Sequence, residues 1–226
     1  MTELYFVRHG QTEWNKEMRF QGGRGNSELL PQSFDDMAKL AEHLADTTFD
    51  KVYSSTLKRA AQTAEHTMTL WAAARGEATP TIHQSDALIE VGLGEWEGML
   101  KADIQARYPK DYHTYQHDLA NFSGAGFGGE GHDRSVERFR AFLHKAIAEA
   151  GEHERLIFFS HGMMLLFGIS DLLGIPKANI RDRGGLSNTS TTILRTLDGG
   201  QTFELVDWNR DDYLQVDAND ASRKII

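Results

Sequence analysis

The sequence predicts an α/β fold, a mostly parallel open sheet with helices on both faces and a small helical and loop cap insertion. Three observations carry that expectation. The apolar runs Leu4–Val7 and Leu156–Phe159 have the length and composition of buried strands. Segments 34–46 and 135–150 place apolar residues at helical spacing. Both apolar runs then stop at a histidine followed by a glycine, in Arg8-His9-Gly10 and Ser160-His161-Gly162. Alternating strands and helices imply a parallel sheet, and such sheets bind ligands beyond the carboxyl ends of their strands.

Taken in order, the first strand gives way to Gln11-Thr12-Glu13-Trp14-Asn15, too polar for a core. Gly10 lets the backbone pass close to something bulky beside the histidine. Residues 15–25 carry Lys16, Arg19, Arg24 and three glycines and read as a loop. A core-facing helix over 34–46 follows, with Phe34, Met37, Leu40, Ala41 and Leu44 on one face. Phe49–Tyr53 is a short strand, Ser54-Ser55 are natural N-caps, and a helix is expected from Thr56 to about Ala74. Arg59 then falls in the first helical turn.

Residues 81–89 read as extended and run into Glu90 and the glycine-punctuated Gly92-Leu93-Gly94-Glu95-Trp96-Glu97-Gly98. A short helix over 101–108 is stopped by Pro109. Residues 121–132 form a loop with five glycines, too poor in apolar residues to pack alone. A strong helix over 135–150 leads to the strand at 155–160 and the apolar helix 163–173. Two last strands, 191–197 and 202–208, flank Asp198-Gly199-Gly200, a hairpin signature, before a polar tail from Asp211. The whole chain, 1–226, is expected to form one domain, with about 91–132 as a cap or lid insertion.

Composition narrows the function classes. With no cysteine among 226 residues, disulfides, thiolate metal sites and cysteine nucleophiles are excluded. No apolar run approaches a membrane span, and the N-terminus enters a strand without a basic and apolar leader, so a cytoplasmic protein is expected. A formal charge of −9 argues against nonspecific binding to nucleic acid or to an anionic membrane. An anionic substrate would also be repelled by the molecule as a whole and must find arginines concentrated locally.

Arg8, His9, Arg59 and His161 all lie at or just past strand ends, and two histidines with two arginines suit a phosphate. Arginine forks onto phosphate oxygens and keeps its charge. Neutral histidine is a competent nucleophile, and its protonated form is a good donor. Stepwise transfer also needs a proton for the leaving alcohol and then a base for water, and Glu90 in its glycine-rich turn is a candidate for both. An arginine in a first helical turn opposes the macrodipole, a mild misfit that a bound anion would relieve.

These residues resemble the signature of the histidine phosphatase superfamily, the phosphoglycerate mutase-like proteins. Residues 4–15 are similar to its first motif and Ser54–Ala64 to its second phosphate-binding segment. Leu88-Ile89-Glu90 with Gly94–Gly98 resembles its acid-bearing turn, Gly129-Glu130 before a helix fits, and Ser160-His161-Gly162 matches its second histidine. The resemblance implies that His9 is phosphorylated during turnover, with Arg8, Arg59 and His161 holding the phosphoryl group. Glu90 would be the proton donor, and Asn15, Gln21 and Gly22 would line the same pocket. It implies no metal and no other cofactor.

Competing readings weigh against each assignment. Glu95, Glu97 and Glu130 are nearby alternatives to Glu90, and most turn glutamates are merely solvated. His161 also reads as a helix cap, and Trp14, Phe20 and Trp96 are as readily core as cleft wall. His113 and His117 share a helical spacing that suits a metal, with no third ligand beyond His132, and read as exposed polar residues. Three activities compete: a phosphomonoester hydrolase acting through phosphohistidine on a small phosphorylated metabolite, a phosphoglycerate mutase, and a phospholigand-binding module without turnover. Glu90 is followed by Val91-Gly92-Leu93-Gly94 where the mutase pattern has Arg-His-Tyr-Gly, residues 101–131 lack a long basic insertion, and a mobile glycine loop would admit water. Hydrolysis is therefore the expectation. The edge of the terminal hairpin is free either to pair with a second subunit as a homodimer or to stay charged and monomeric.

Overall fold

The protein is described from a computed structural model, over residues 1–151 and 154–214. A six-stranded sheet has the order β3-β2-β4-β1-β5-β6. Its strands are β1 (Thr2–Arg8), β2 (Lys51–Ser55), β3 (Ile82–Ser85), β4 (Arg155–Ser160), β5 (Thr191–Thr196) and β6 (Glu204–Arg210). β1, β4, β2 and β3 run parallel to one another, β5 pairs antiparallel with β1, and β6 pairs antiparallel with β5. The helices are α1 (Glu13–Lys16), α2 (Pro31–His43), α3 (Lys58–Arg75), α4 (Lys101–Arg107), α5 (Pro109–His117), α6 (His132–Ala148) and α7 (Gly162–Leu172).

The central strands read as unbroken apolar runs because both faces of the sheet are covered. Leu4, Phe6, Leu156 and Phe158 point into one core, with Phe139 and Leu143 of α6 and Leu165 of α7. Tyr5, Val7, Ile157 and Phe159 point the other way, onto Leu40 of α2 and Ala64 and Met68 of α3. Gly10 is the close approach expected: a Cβ there would lie 2.8 Å from Met37 and 3.1 Å from Ser33, both on α2. No described helix is long and apolar enough to cross a membrane. The tail beyond Leu214 lies outside the described residues.

Four local expectations need correction. Ser54 and Ser55 are strand residues and not caps: α3 starts at Lys58 after Leu57, which makes no side-chain cap, and the Ser55 hydroxyl accepts from the Leu57 N–H. Residues 81–89 are extended only over Ile82–Ser85, and a tight turn at Asp86–Leu88, capped by Ser85, aims the chain toward Glu90. Pro109 ends one helix and begins another, since its missing N–H costs nothing at the first helical position.

The glycine-rich loop is the fourth. It packs through Phe122 and Phe127, both buried, and the Phe127 ring stacks on fully buried Trp96 at 4.0 Å. Gly94 has φ +52°, and a Cβ there would sit 2.0 Å from the Phe127 carbonyl oxygen. The glycines thus let two chain segments touch backbone to backbone, and the loop is anchored where a mobile one was expected.

Candidate active site

The site forms where parallel strands end side by side. Arg8 of β1 pairs with Ser160 of β4, and Phe159 pairs with Ser54 of β2. The next residues, His9 and His161, are therefore neighbours, with ring centroids 5.2 Å apart. The His9 N–H donates to the Ser160 carbonyl at 2.9 Å, and the Asn188 amide donates to the His9 carbonyl at 2.9 Å. Its main chain is held on both sides.

The ring of His9 is set up as a nucleophile. Nδ1 lies 2.7 Å from the Gly10 carbonyl, which assigns the proton to Nδ1. Nε2 then carries the lone pair and accepts from Arg59 Nε at 3.3 Å. Burial pushes the pKa of His9 well below the usual imidazole value; Arg59 and Arg8 push the same way, and only the Gly10 carbonyl opposes them. At neutral pH the ring is uncharged and basic at the atom facing the guanidinium.

Arg8 and Arg59 are buried cations, each lowered to about 10, chiefly by burial and partly restored by Glu90. Both stay charged near neutrality. The fork of Arg59 donates to the carbonyls of Gly25 at 2.6 Å and Gly22 at 3.0 Å, and Arg8 donates to the Leu186 carbonyl. The protein's own carbonyls thus take up part of the misfit of an arginine in a first helical turn. A cavity of about 50 Å³ is walled by Arg8, His9, Asn15, Arg59 and Glu90, with Gln21 and Gly22 also on its lining. Thr12 caps α1 in a reciprocal box with Asn15, and Gln21 donates to the Thr12 hydroxyl at 2.6 Å.

Glu90 sits at the N-terminus of α7. One oxygen accepts from Met163 N–H at 3.1 Å, and the other from Met164 and Val91 N–H, each at 2.8 Å. Its rivals are occupied elsewhere. Glu97 accepts the N–H groups of Gly23, Arg24, Gly25 and Leu93, and Glu95 accepts from the Tyr108 hydroxyl. Glu130 pairs with Arg138 at 2.8 Å, and Arg138 also donates to the carbonyls of Ala87, Ile89 and Glu90. That pair braces the turn carrying Glu90. Of the four glutamates, Glu90 alone lines the cavity.

His161 occupies the cap position of α7 without making a cap bond. Its Nε2 lies 2.8 Å from the Ser55 hydroxyl, and its buried Nδ1 has no partner among the described residues. Burial, then Arg59 and His9, hold its pKa well below the usual value. His161 adjoins His9 but does not itself wall the cavity. Phe20 does, whereas Trp96 belongs to the core. His113 and His117 lie on α5 with ring centroids 4.8 Å apart, and no group of three or more potential ligands surrounds a metal position among the described residues.

Sequence reasoning missed Asn188, Tyr115 and Thr63. Asn188 belongs to Ser187-Asn188-Thr189-Ser190, a fully buried polar run just before β5, and such a run before a strand was the available signal. Thr63, one helical turn after Arg59, accepts the Gly10 N–H at 3.0 Å. Tyr115 of α5 lines the cavity with its hydroxyl pushed up to about 12 by burial. Nothing local in the sequence separates it from the neighbouring tyrosines.

Residues 4–211 match the histidine phosphatase superfamily (branch 1). The glucosyl-3-phosphoglycerate phosphatase of Mycobacterium tuberculosis is 30% identical over 92% of this chain and 92% of its own. Phosphoserine phosphatase 1 of Hydrogenobacter thermophilus is 28% identical over 86% of each chain. Phosphoglycerate mutase-like protein 4 of Arabidopsis thaliana is 29% identical over 87% of this chain and 80% of its own. Among solved structures, Bacillus stearothermophilus YhfR superimposes with a TM-score of 0.82 at 28% identity, covering 94% of this chain and 99% of that one. The mycobacterial glucosyl-3-phosphoglycerate phosphatase in complex with VO3 gives a TM-score of 0.81 at 27% identity, covering 92% and 99%. On the match and the strand-end arrangement together, the chain belongs to the histidine phosphatase superfamily, branch 1.

Proposed function

We propose that this protein is a metal-independent phosphomonoester hydrolase that acts on a small phosphorylated metabolite through a phosphohistidine at His9. The observation that carries this reading is a buried, neutral His9, its Nδ1 held by a carbonyl and its Nε2 3.3 Å from the buried Arg59 guanidinium. Phosphatases among its relatives support it.

In the first half-reaction the Nε2 lone pair attacks phosphorus in line, and the bond from phosphorus to the ester oxygen breaks. That oxygen takes a proton from the Glu90 carboxyl and leaves as the alcohol. The Arg59 N–H now directed at Nε2 turns to a phosphoryl oxygen, beside Arg8 and His161, so spread negative charge meets fixed donors. In the second half-reaction water attacks phosphorus, Glu90 takes its proton, and the bond to Nε2 breaks, returning neutral His9 and inorganic phosphate. Asn15, Gln21 and Gly22 shape the pocket, and residues 91–132 act as its cap within one domain. The setting proposed is the cytoplasm, where such metabolites are made and consumed.

The test compares phosphate release from a panel of small phosphomonoesters with isomerisation of 3-phosphoglycerate primed by 2,3-bisphosphoglycerate. Hydrolysis of several esters, with an acid-labile and base-stable phosphoryl label lost in His9→Ala, supports the reading. Primed isomerisation much faster than phosphate release would replace it with a mutase. Binding without turnover would leave a phospholigand module.

A further inference from the structure

Ser55, which the mechanism leaves unused, touches the second histidine. It ends β2, His161 follows β4, and the pairing of Ser54 with Phe159 sets the two side by side. Both are fully buried. The Ser55 hydroxyl meets two groups among the described residues: it accepts the Leu57 N–H at 3.2 Å, and it lies 2.8 Å from His161 Nε2. A hydroxyl has one proton to give, and an amide N–H cannot take it. Sealed from water, that proton has a single place to go, the lone pair of His161 Nε2. A neutral ring that accepts at Nε2 carries its own proton on Nδ1. Nδ1 is buried as well and has no partner among the described residues. A buried N–H without an acceptor is costly, and a phosphoryl oxygen beside His9 would relieve it.

We propose that Ser55 is a positioning residue whose hydroxyl holds His161 in the tautomer protonated at Nδ1, making that N–H the one His161 gives to a phosphoryl oxygen. The inference rests on the hydrolase reading for its kinetics and stands on its own for the tautomer. With the proton on Nε2 instead, a lone pair at Nδ1 would confront an anionic oxygen and repel it. The two tautomers carry the same charge, so one hydroxyl decides whether His161 attracts or repels the transferring group. A neutral donor also spares the pocket a third buried cation beside Arg8 and Arg59, in keeping with the downward push that burial, Arg59 and His9 exert on this ring.

Nitrogen–proton correlation spectra of the imidazoles read the tautomer directly. They are recorded near neutral pH on the parent protein saturated with inorganic phosphate, with His161 assigned from its loss in His161→Ala. The proposal requires Nδ1 protonated and Nε2 bare in the parent, and a share of the Nε2-protonated form in Ser55→Ala. A parent protonated at Nε2, or a Ser55→Ala ring with its tautomer unchanged, overturns it. In turnover, Ser55→Ala should lower kcat/KM about tenfold on every phosphomonoester alike, less than the about 10²- to 10³-fold of deleting a donor outright. Ser55→Thr keeps the hydroxyl and should restore both the Nδ1 proton and most of the rate. In a His161→Ala background the same Ser55→Ala change should alter the rate by less than about twofold, because a residue that acts through His161 has nothing left to act on. Equal losses in the two backgrounds would make Ser55 a packing residue and end the proposal. Should the parent release no phosphate from any ester, the hydrolase reading fails, and the spectra still decide the tautomer.

Discussion

The floor of the cavity and its aromatic wall are built by different forces. On the floor, each polar group is fixed by the main chain: Arg8 by the Leu186 carbonyl, Arg59 by the Gly22 and Gly25 carbonyls, His9 by Gly10, and Glu90 by the N–H groups opening α7. The wall is held by ring contacts around Trp96, which meets Phe127 face on and Phe20 and Tyr115 edge on. Hydrogen-bonded polar groups tolerate little displacement, whereas apolar packing accepts other rings of similar volume. The floor should therefore govern chemistry, and the wall should govern stability and the choice of leaving group.

The largest expected effect lies on the floor. His9→Ala removes the attacking atom and should lower kcat by roughly 10⁴-fold or more while the protein stays folded, read by steady-state phosphate release and thermal melting. A residual rate close to the parent's would end the covalent mechanism. Behind the wall, Trp96→Ala should cost about 3–5 kcal/mol in urea unfolding, because a fully buried indole leaves a cavity behind. Its binding of inorganic phosphate should change little; a loss of phosphate affinity matching that of a floor variant would erase the distinction between the two regions.

Arg59→Ala should come third, with kcat/KM down about 10²- to 10³-fold on every substrate alike, since it takes a donor from the phosphoryl group and not from the leaving group. A loss confined to particular substrates would move Arg59 to the wall side of the comparison. Next comes pH. The imidazoles of His9 and His161 have folded pKa values below the unfolded one, so between those values the unfolded chain binds more protons. Stability is then complete above about pH 6.5 and falls as the solution is acidified below it, by up to about 1.4 kcal/mol per pH unit for each ring. Urea melts from pH 7.5 to 5 should show the decline, and His9→Gln should flatten it by about one proton. An unchanged slope would mean that His9 is not kept neutral by the fold. Smallest of all, a chelator should leave the rate unaltered, because Arg8, Arg59 and His161 meet the phosphoryl charge in the proposed mechanism.

Legibility divides along the same line. Arg8, His9 and His161 can be found from sequence because strand ends announce themselves: an apolar run must stop where the sheet stops, and the residues just past it are displayed at the sheet's edge. Arg59 comes from the same rule applied to β2, even though Ser54 and Ser55 are strand and not cap. Choosing Glu90 over Glu95, Glu97 and Glu130 is beyond local reasoning, because it depends on which carboxylate finds the start of α7, about seventy residues away. The wall is harder still to read. Five glycines around two phenylalanines suggest a mobile loop until Trp96 supplies the partner that makes those rings a core. The polar run before β5 flags Asn188 but cannot give its task, which is to hold a carbonyl far away in the chain.

What the sequence determined by itself is whatever depends on short-range periodicity and on residue chemistry: strands with both faces buried, two histidines at their ends, arginines that stay charged, and no thiol chemistry. Only the tertiary structure decided which glutamate lines the cavity with the histidine, that the glycine loop packs on Trp96 behind the cavity wall, and that the Ser55 hydroxyl meets His161. Those facts turn on contacts between residues distant in the chain, and a pattern of nearest neighbours carries no information about which distant groups will be brought together when two sheet faces close over their helices.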